Sequence, residues 1–471
     1  MNEKNSGCRV MLLTPPPRGL FKEVTKRPWV STQPLGLAYV AAAVRDANFP
    51  VEIIDAYSMG LSGDEIRERI LAFRPQVVGI SALTPQWPST EKLSDLVKDI
   101  DREIITVVGG PHATALPYDV ASCPGVDAAV IGEGEEIMRD ICETVASGGD
   151  LENVAGLVLG NKGKIRATAD RSRITNLDSL SFPAHDLLPE PGFYNPYPSW
   201  GKTGLFSSMI SGRGCPYQCS FCDVTAQQGK RYRLRSAENV VDEMEWLNKT
   251  FSVTTFSFRD PSMICSRKRL LEICRLIVER RLDIVWTCNA RTNEVDPEML
   301  AAMKKSGCKL IQYGIEVGNE EMLKTIKNIT RAQVIKAVSD TRKAGISAHG
   351  YFLFGFVEET VETMQETIDF AMELDLDSAG FAVMVPFPGT QEFDNYRKEG
   401  LLLTEDWRDY DIMGKPVYRH KHITNAQLAA APRRAYRKFY LRPKIIMRHI
   451  VRMTSPGVIR NYLRSARMML S

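Results

Sequence analysis

Short apolar runs alternate with helical patterns in two successive series along this chain, and that alternation constrains the fold more than any other feature. The first series is RVMLLTPPP (9–17), VEIIDAY (51–57), VVGISAL (77–83), IITVVGGPH (104–112) and DAAVIGEG (127–134). Between the runs lie PLGLAYVAAAVRDANF, GDEIRERILAF, a segment over 89–100 and EEIMRDICETVAS. A strand that is apolar along its whole length must be covered on both faces. The series therefore predicts an α/β, doubly wound (Rossmann-like) domain over 1–150, with a five-stranded parallel sheet. Ligands of such sheets sit beyond the carboxyl ends of the strands. There the loops carry Asp55 to Gly60, Ser81 to Leu83, and Gly109-Gly110, glycines that let a backbone come close to a ligand.

The second series begins near residue 204: LFSSMISG, TTFSFRD, IVWTCNAR, LIQYGIEVG, SAHGYFLFG and SAGFAVMVPFPG, separated by amphipathic helices. Six βα units predict a partial (β/α)6 barrel over 201–400, with its active site at the carboxyl ends of the strands. The loop after the first of these strands is SGRGCPYQCSFC, which sets Cys215, Cys219 and Cys222 in CxxxCxxC spacing. This spacing lets three sulfurs converge on three irons of a cubane and leaves the fourth iron open. A structural zinc loop would need four ligands, and no fourth Cys or His lies nearby. Arg213, Gly214 and Pro216 suggest a tight, electropositive loop that favours thiolates. The other seven cysteines (Cys8, Cys123, Cys142, Cys265, Cys274, Cys288, Cys308) are scattered singly and are expected as free thiols.

The cysteine loop, including Phe221 before its last cysteine, resembles the signature of radical S-adenosylmethionine (SAM) enzymes. The resemblance implies a [4Fe-4S] cluster whose open iron is chelated by the amino and carboxylate groups of SAM, and cleavage of SAM to a deoxyadenosyl radical. The three loops of the first series resemble the cobalamin-binding pattern DxHxxG, SxL, GG, matched by Asp55, Gly60, Ser81, Leu83, Gly109 and Gly110. Tyr57 stands where that pattern has the cobalt-ligating histidine, which implies that no protein imidazole binds cobalt. PLGLAYVAAAV, GGPHAT and GEGEE also resemble cobalamin-dependent radical SAM proteins, and His112 is a candidate for corrin contact or for a loop hydrogen bond. In the barrel, Gly314 to Gly318 resembles the family's GIESG string, which makes Glu316 a candidate for SAM contact. Leu353, Gly355 and Glu358 match a pattern that packs on adenine, and Pro386 to Thr390 matches a pocket loop. Arg259-Asp260 stands where the family has GGE. Arg291 is placed to pair with the SAM carboxylate as a planar fork.

Residues 151–200 are expected to connect the domains, with a hairpin around Asn161 to Gly163, a Pro-rich loop and a surface histidine, His185. Residues 401–471 are expected to form a basic helical region. From Ile412 to Ser471 there are fourteen Lys or Arg and no acid, whereas residues 1–411 carry 46 basic and 57 acidic groups. Such a tail suits an anionic membrane surface or docking on the acidic remainder of the chain, and suits nucleic acid less. No run of about 18 uncharged apolar residues and no signal-peptide core occurs, so a cytoplasmic protein is expected, with peripheral contact at the inner face of the membrane through the tail. The resemblance implies a cobalamin-dependent radical C-methyltransferase acting on an unactivated carbon of a hydrophobic isoprenoid- or tetrapyrrole-like substrate. It also implies an external electron donor of flavodoxin or ferredoxin type. The alternative is an oxidative cyclase or carbon–carbon coupling enzyme using the same cofactors without methyl transfer.

Overall fold

The computed structural model describes residues 7–17, 31–161, 164–194, 204–412 and 414–452. The expected hairpin tip at 162–163, the end of the Pro-rich loop from residue 195 and a last tail helix over 455–470 lie outside the described residues. Strands β1 (Val10–Thr14), β2 (Val51–Asp55), β3 (Val77–Ser81), β4 (Ile105–Gly109) and β5 (Ala128–Val130) pair in parallel, as their apolar runs require. Two more strands extend the sheet, β6 (Leu157–Asn161) and β7 (Lys164–Ala167), in the order β2-β1-β3-β4-β5-β6-β7. This is the hairpin expected in the connector. It adds antiparallel to β5, so the sheet has seven strands and runs past residue 150. The physical reason is the exposed edge of β5, whose unpaired amides need a partner. The new edge, β7, is exposed throughout and carries Lys164 and Arg166.

Alternation within each strand divides the core. Met11, Leu13, Val78, Ile80 and Val108 face the helices Gly63–Phe73 and Trp87–Ile100. Val10, Leu12, Val77 and Val107 face Leu35–Asp46 and Gly134–Ala146. Each fully buried Val, Leu or Ile here contributes about 1.5–3 kcal/mol, which is why both layers hold.

The second sheet is parallel and six-stranded, in the order β15-β14-β13-β12-β11-β8. Its strands are β8 (Leu205–Met209), β11 (Val253–Phe258), β12 (Val285–Ala290), β13 (Cys308–Glu316), β14 (Ser347–Phe354) and β15 (Ser378–Val383). A two-residue antiparallel pair, β9 (Gly212–Arg213) and β10 (Arg233–Leu234), clamps the two ends of the cysteine segment. The sheet stays open between β15 and β8.

The tail packs on the β15 side of that opening. Helix Asn425–Tyr440, started by a Thr424–Gln427 capping box, buries Leu428, Ala431, Ala435 and Phe439. Tyr436 accepts from Phe381 N (3.1 Å); Tyr440 accepts from Ala379 N (3.1 Å) and donates to Ala379 O (2.8 Å). These bonds use the outward-facing amides of the edge strand. Lys438 reaches Asp369, and Lys444 and Arg448 reach Asp375. The described tail therefore spends much of its apolar surface and part of its charge on the barrel. His185, expected at the surface, is buried with Nε2 3.7 Å from Glu243, because the connector lies over the helix Ala237–Phe251. All ten cysteines are free. Among the described residues no helix is long and apolar enough to cross a membrane.

Candidate active site between the two sheets

The cysteine loop leaves the carboxyl end of β8 and returns through the short helix Val224–Gln228. Its turns are set by the backbone: Cys215 N donates to Gly229 O (3.1 Å), and Cys222 N donates to Cys219 O (3.1 Å). Gly214 holds φ at +90°, and a side chain there would lie 2.3 Å from Arg231 O, so only glycine fits. Asp260, at the carboxyl end of β11, accepts from Ser211 N and Oγ (2.8–3.1 Å), which anchors the start of the loop. This is the position where Arg259-Asp260 replaces the family's GGE, and its carboxylate faces the loop. Ser220 donates to Glu392 Oε1 (2.6 Å), and Phe221 packs edge-on against Phe356 (5.2 Å). These contacts tie the loop to the last two βα units.

Electrostatics at the loop differ from the expectation of a thiolate-favouring cradle. Arg213 points away from the thiols into the other domain, where Glu133 (3.0 Å) and Glu135 (2.5 Å) neutralise it. Arg233 also meets Glu133 (2.7 Å), and no side chain in this network is more than 10% exposed. Burial consequently pushes the Cys215 thiol up and Cys222 up to about 12. Thiols of this kind give up protons on metal binding, so loading the loop is coupled to proton release. The cation that does face the loop is Arg291, at the end of β12. Its Nη1 lies 3.9 Å from Cys219 Sγ, its guanidinium covers the Tyr217 ring at 3.8 Å, and Nη2 donates to Lys327 O. Lys327 in turn pairs with Glu316 (3.1 Å), both buried. Glu316 takes φ +71°, a strained conformation for a non-glycine residue. Gly314 leaves the room, since a Cβ there would lie 2.5 Å from Glu316 Oε1.

Gly355, at φ +98°, donates its N–H to Glu359 and accepts from Tyr418 OH (2.6 Å). Burial raises the Glu359 carboxyl to about 8 against the pull of two backbone amides. Its neighbour Glu358, part of the sequence match, is exposed. Pro386 is buried in the loop after β15.

Between the two sheets lies a cavity of about 270 Å³, lined from the first domain by Ser81, Gly109, Gly110 and Glu133 and from the barrel by Arg213 and Arg259. Gly110 is a fitted position: at φ +92° its missing side chain would lie 3.0 Å from Ala82 O and Ser81 Oγ. Strand ends, paired glycines and a hydroxyl suit the nucleotide tail of cobalamin. Asp55, Tyr57, Gly60, Leu83 and His112 lie outside this lining. Asp55 is buried and caps a short helix, accepting from Ser58 N (3.1 Å), Thr14 Oγ1 (2.9 Å) and Tyr194 OH (3.1 Å). Tyr57 sits in that helix, which Gly60 ends in the left-handed conformation. Leu83 is 49% exposed. His112 stacks on Trp87 (5.0 Å) and meets Trp407 edge-on (5.3 Å), with Nδ1 3.3 Å from Thr84 Oγ1. Burial lowers it to about 4, which keeps it neutral.

The concave barrel face holds polar residues that no motif marks. Met209, Phe256, Phe258, Trp286, Ile311, Tyr313, Phe352 and Phe381 point to the outer helices. Period-two alternation then puts their neighbours inside. Ser208, Ser257 and Thr287 stand in register across three strands; Asn289, Gln312, His349 and Ser378 stand in register across four. Ser208 Oγ, Ser257 Oγ, Thr287 Oγ1 and His349 Nε2 are buried without a hydrogen-bond partner. His349 Nδ1 meets Ser378 Oγ at 2.7 Å, and burial lowers the imidazole to about 4. Only alternation in a known register could have found this set.

With this geometry in view, relationships to known proteins are direct. Residues 30–142 match the family model for the B12 binding domain, and residues 209–371 match that for the radical SAM superfamily. The uncharacterized methyltransferase PH0819 of Pyrococcus horikoshii is 36% identical over 444 residues, 94% of each chain. The anaerobic magnesium-protoporphyrin IX monomethyl ester cyclase of Rubrivivax gelatinosus is 29% identical over 417 residues, covering 87% of this chain and 74% of the cyclase. The cobalamin-dependent SAM radical enzyme OxsB, solved with aqua-cobalamin and SAM bound, shares the fold with a TM-score of 0.76 at 17% identity, over 98% of this chain and 71% of OxsB. A cysteine loop at the first barrel strand facing a glycine-lined cleft of a parallel sheet, in a chain matched along nearly its whole length, leaves one assignment: this protein belongs to the cobalamin-binding radical SAM enzymes, whose cofactors are a [4Fe-4S] cluster, SAM and cobalamin.

Proposed function

We propose that the protein is a radical C-methyltransferase that acts on an unactivated carbon of an isoprenoid- or tetrapyrrole-like substrate. The observation that carries this reading is the shared cavity, lined by Ser81, Gly109 and Gly110 on one side and by Arg213 and Arg259 of the barrel on the other. Cobalamin with its nucleotide tail held there would lie between the first domain and the barrel mouth. With the cofactors bound, the cluster and SAM supply a hydrogen-abstracting radical, and cobalamin supplies a methyl group. Cys215, Cys219 and Cys222 hold the cluster, while Arg291, Glu316, Gly355 and Pro386 frame SAM. Asp260 and Glu392 fix the loop from opposite ends of the sheet.

The unpartnered hydroxyls and the imidazole on the concave face favour a substrate whose polar groups satisfy them over a pure hydrocarbon, because a buried unpaired donor or acceptor costs about 1–3 kcal/mol. A tetrapyrrole, with ring nitrogens and acid side chains, meets that demand. The electron comes from a flavodoxin- or ferredoxin-type donor, and the protein works in the cytoplasm.

The test is anaerobic. The reconstituted holoenzyme receives SAM, a strong reductant and tetrapyrrole or isoprenoid candidates, and S-adenosylhomocysteine is quantified beside deoxyadenosine. Comparable, substrate-dependent amounts of both support methyl transfer. Deoxyadenosine alone rejects it in favour of cyclisation or coupling, the activity named for the Rubrivivax relative.

A further inference from the structure

The tail helices bury one side against the barrel; the outward side is cationic on Asn425–Tyr440 and carries large apolar side chains on Pro443–Arg452. Leu441, Met447 and Ile450 are 62%, 59% and 53% exposed, Ile446 is 40% exposed, and Ile412 from the preceding segment is 51% exposed. Ile450 lies four residues after Ile446 and three after Met447, so both neighbour it on one stripe of the helix Pro443–Arg452. A groove of about 1470 Å³ ends at Pro443, where that helix begins, and is lined by Ile412, Lys415, Arg433, Arg437, Leu441 and Arg442. Its floor includes Phe381 and Val383 of β15, at the open edge of the half-barrel. Asp369 and Asp375 engage Lys438, Lys444 and Arg448. Arg433 and Arg437 have no carboxylate within salt-bridge distance among the described residues.

We infer that this face docks on an anionic lipid bilayer, with the Met447–Ile450 stripe entering the interface and Arg433 and Arg437 meeting lipid phosphates. Exposed large apolar side chains ringed by cations suit that boundary, where one side of a helix is wet and the other is not. Other occupants are less well matched. Residues 453–471 carry Arg460, Arg464 and Arg467 and no acid, so they bring no countercharge for Arg433 and Arg437. Like charge opposes a second copy of this face. An RNA would use the arginines and leave the stripe in water. The inference stands independently of the methyl-transfer reading, since neither the cysteine loop nor the glycine-lined cavity enters it.

The full-length holoprotein is co-sedimented with phosphatidylcholine vesicles and with vesicles enriched in phosphatidylglycerol. Binding is expected only to the anionic vesicles and should fall with added salt. Each cation near the surface contributes about a fivefold factor, so Arg433→Glu together with Arg437→Glu should weaken binding by at least roughly 25-fold. Met447→Asp with Ile450→Asp should abolish it, and both positions are exposed enough to leave the melting temperature unchanged. Equal binding to both vesicle types, or binding indifferent to either pair of substitutions, overturns the inference. So does retention on single-stranded RNA that survives Met447→Asp/Ile450→Asp in a protein that ignores vesicles.

Discussion

Substituting Glu133 by Gln tests whether the cofactor domains are locked together by buried charge. Glu133 accepts from Arg213 (3.0 Å) and Arg233 (2.7 Å), with at most 10% of any of the three side chains exposed. Burial alone would raise its carboxyl, but the hydrogen bonds and charges of Arg233 and Arg213 outweigh this and hold it below the usual carboxylate value. Removing one partner from a buried pair costs about 3–5 kcal/mol, because the remaining ion stays desolvated. Arg213 would keep Glu135, whereas Arg233 would keep only the carbonyls of Ile174 and Gln228. The lower end, about 3 kcal/mol, is therefore expected. The control is Glu136→Gln, one turn into the same helix, where a 42% exposed carboxylate sits 3.3 Å from Arg171 and should contribute no more than about 1 kcal/mol. Urea unfolding near neutral pH compares the two variants with the parent. Since the folded value of Glu133 is depressed, its contribution is present above the unfolded carboxylate value and fades as pH falls through the folded one. The gap between parent and Glu133→Gln should accordingly close in acid. A loss equal to that of Glu136→Gln, or a gap that does not close, would refute the argument.

Three further outcomes follow from other groups. Glu359, raised to about 8 by burial, stabilises the fold when protonated, and that contribution is lost as pH rises through the folded value. Glu359→Gln should therefore gain on the parent by up to on the order of 4 kcal/mol between pH 5 and 9, read from urea midpoints, and parallel profiles would sink the idea. Gly110→Ala, forced into φ +92° against Ala82 O, should lose roughly 1–3 kcal/mol together with bound cobalamin. Gly109→Ala meets only Val130 at 3.6 Å and should stay stable while taking up less cobalamin, as measured by corrin absorbance after reconstitution.

The parallel cores were legible because a strand buried on both faces has no choice but to be apolar throughout, as VMLLT and VVGIS are. The cysteine loop was legible because covalent spacing survives any tertiary context. The hairpin's place in the sheet was not, since an edge is created by where β5 ends and cannot be seen from LVLGN and KIRA alone. Ser208, Ser257 and Thr287 sit on three adjacent strands that are far apart in sequence, and only the register brings them to one row. His112 matched a motif, yet aromatic packing between Trp87 and Trp407, 320 residues apart in sequence, decides where its ring goes.

Arg213 and the GEGEE stretch show how two local readings change when combined. Alone, an arginine beside CPYQC suggests a charge that lowers thiol pKa, and GEGEE stands only as a string that resembles the family's. Together they cancel each other in a buried network, and the thiols are left in a less polar setting that raises Cys215 and Cys222. The charge at the cluster loop then falls to Arg291, which reaches Cys219 from the far side of the loop. The consequence is mechanical as much as electrostatic. Glu133 and Glu135 open the helix that follows β5, and Arg213 precedes the first cysteine by two residues. The ionic network thus links the glycine-lined cleft to the cysteine loop through a few residues on either side, so the spacing of the two candidate cofactor sites rests on a buried contact and not on the long connector between the domains alone.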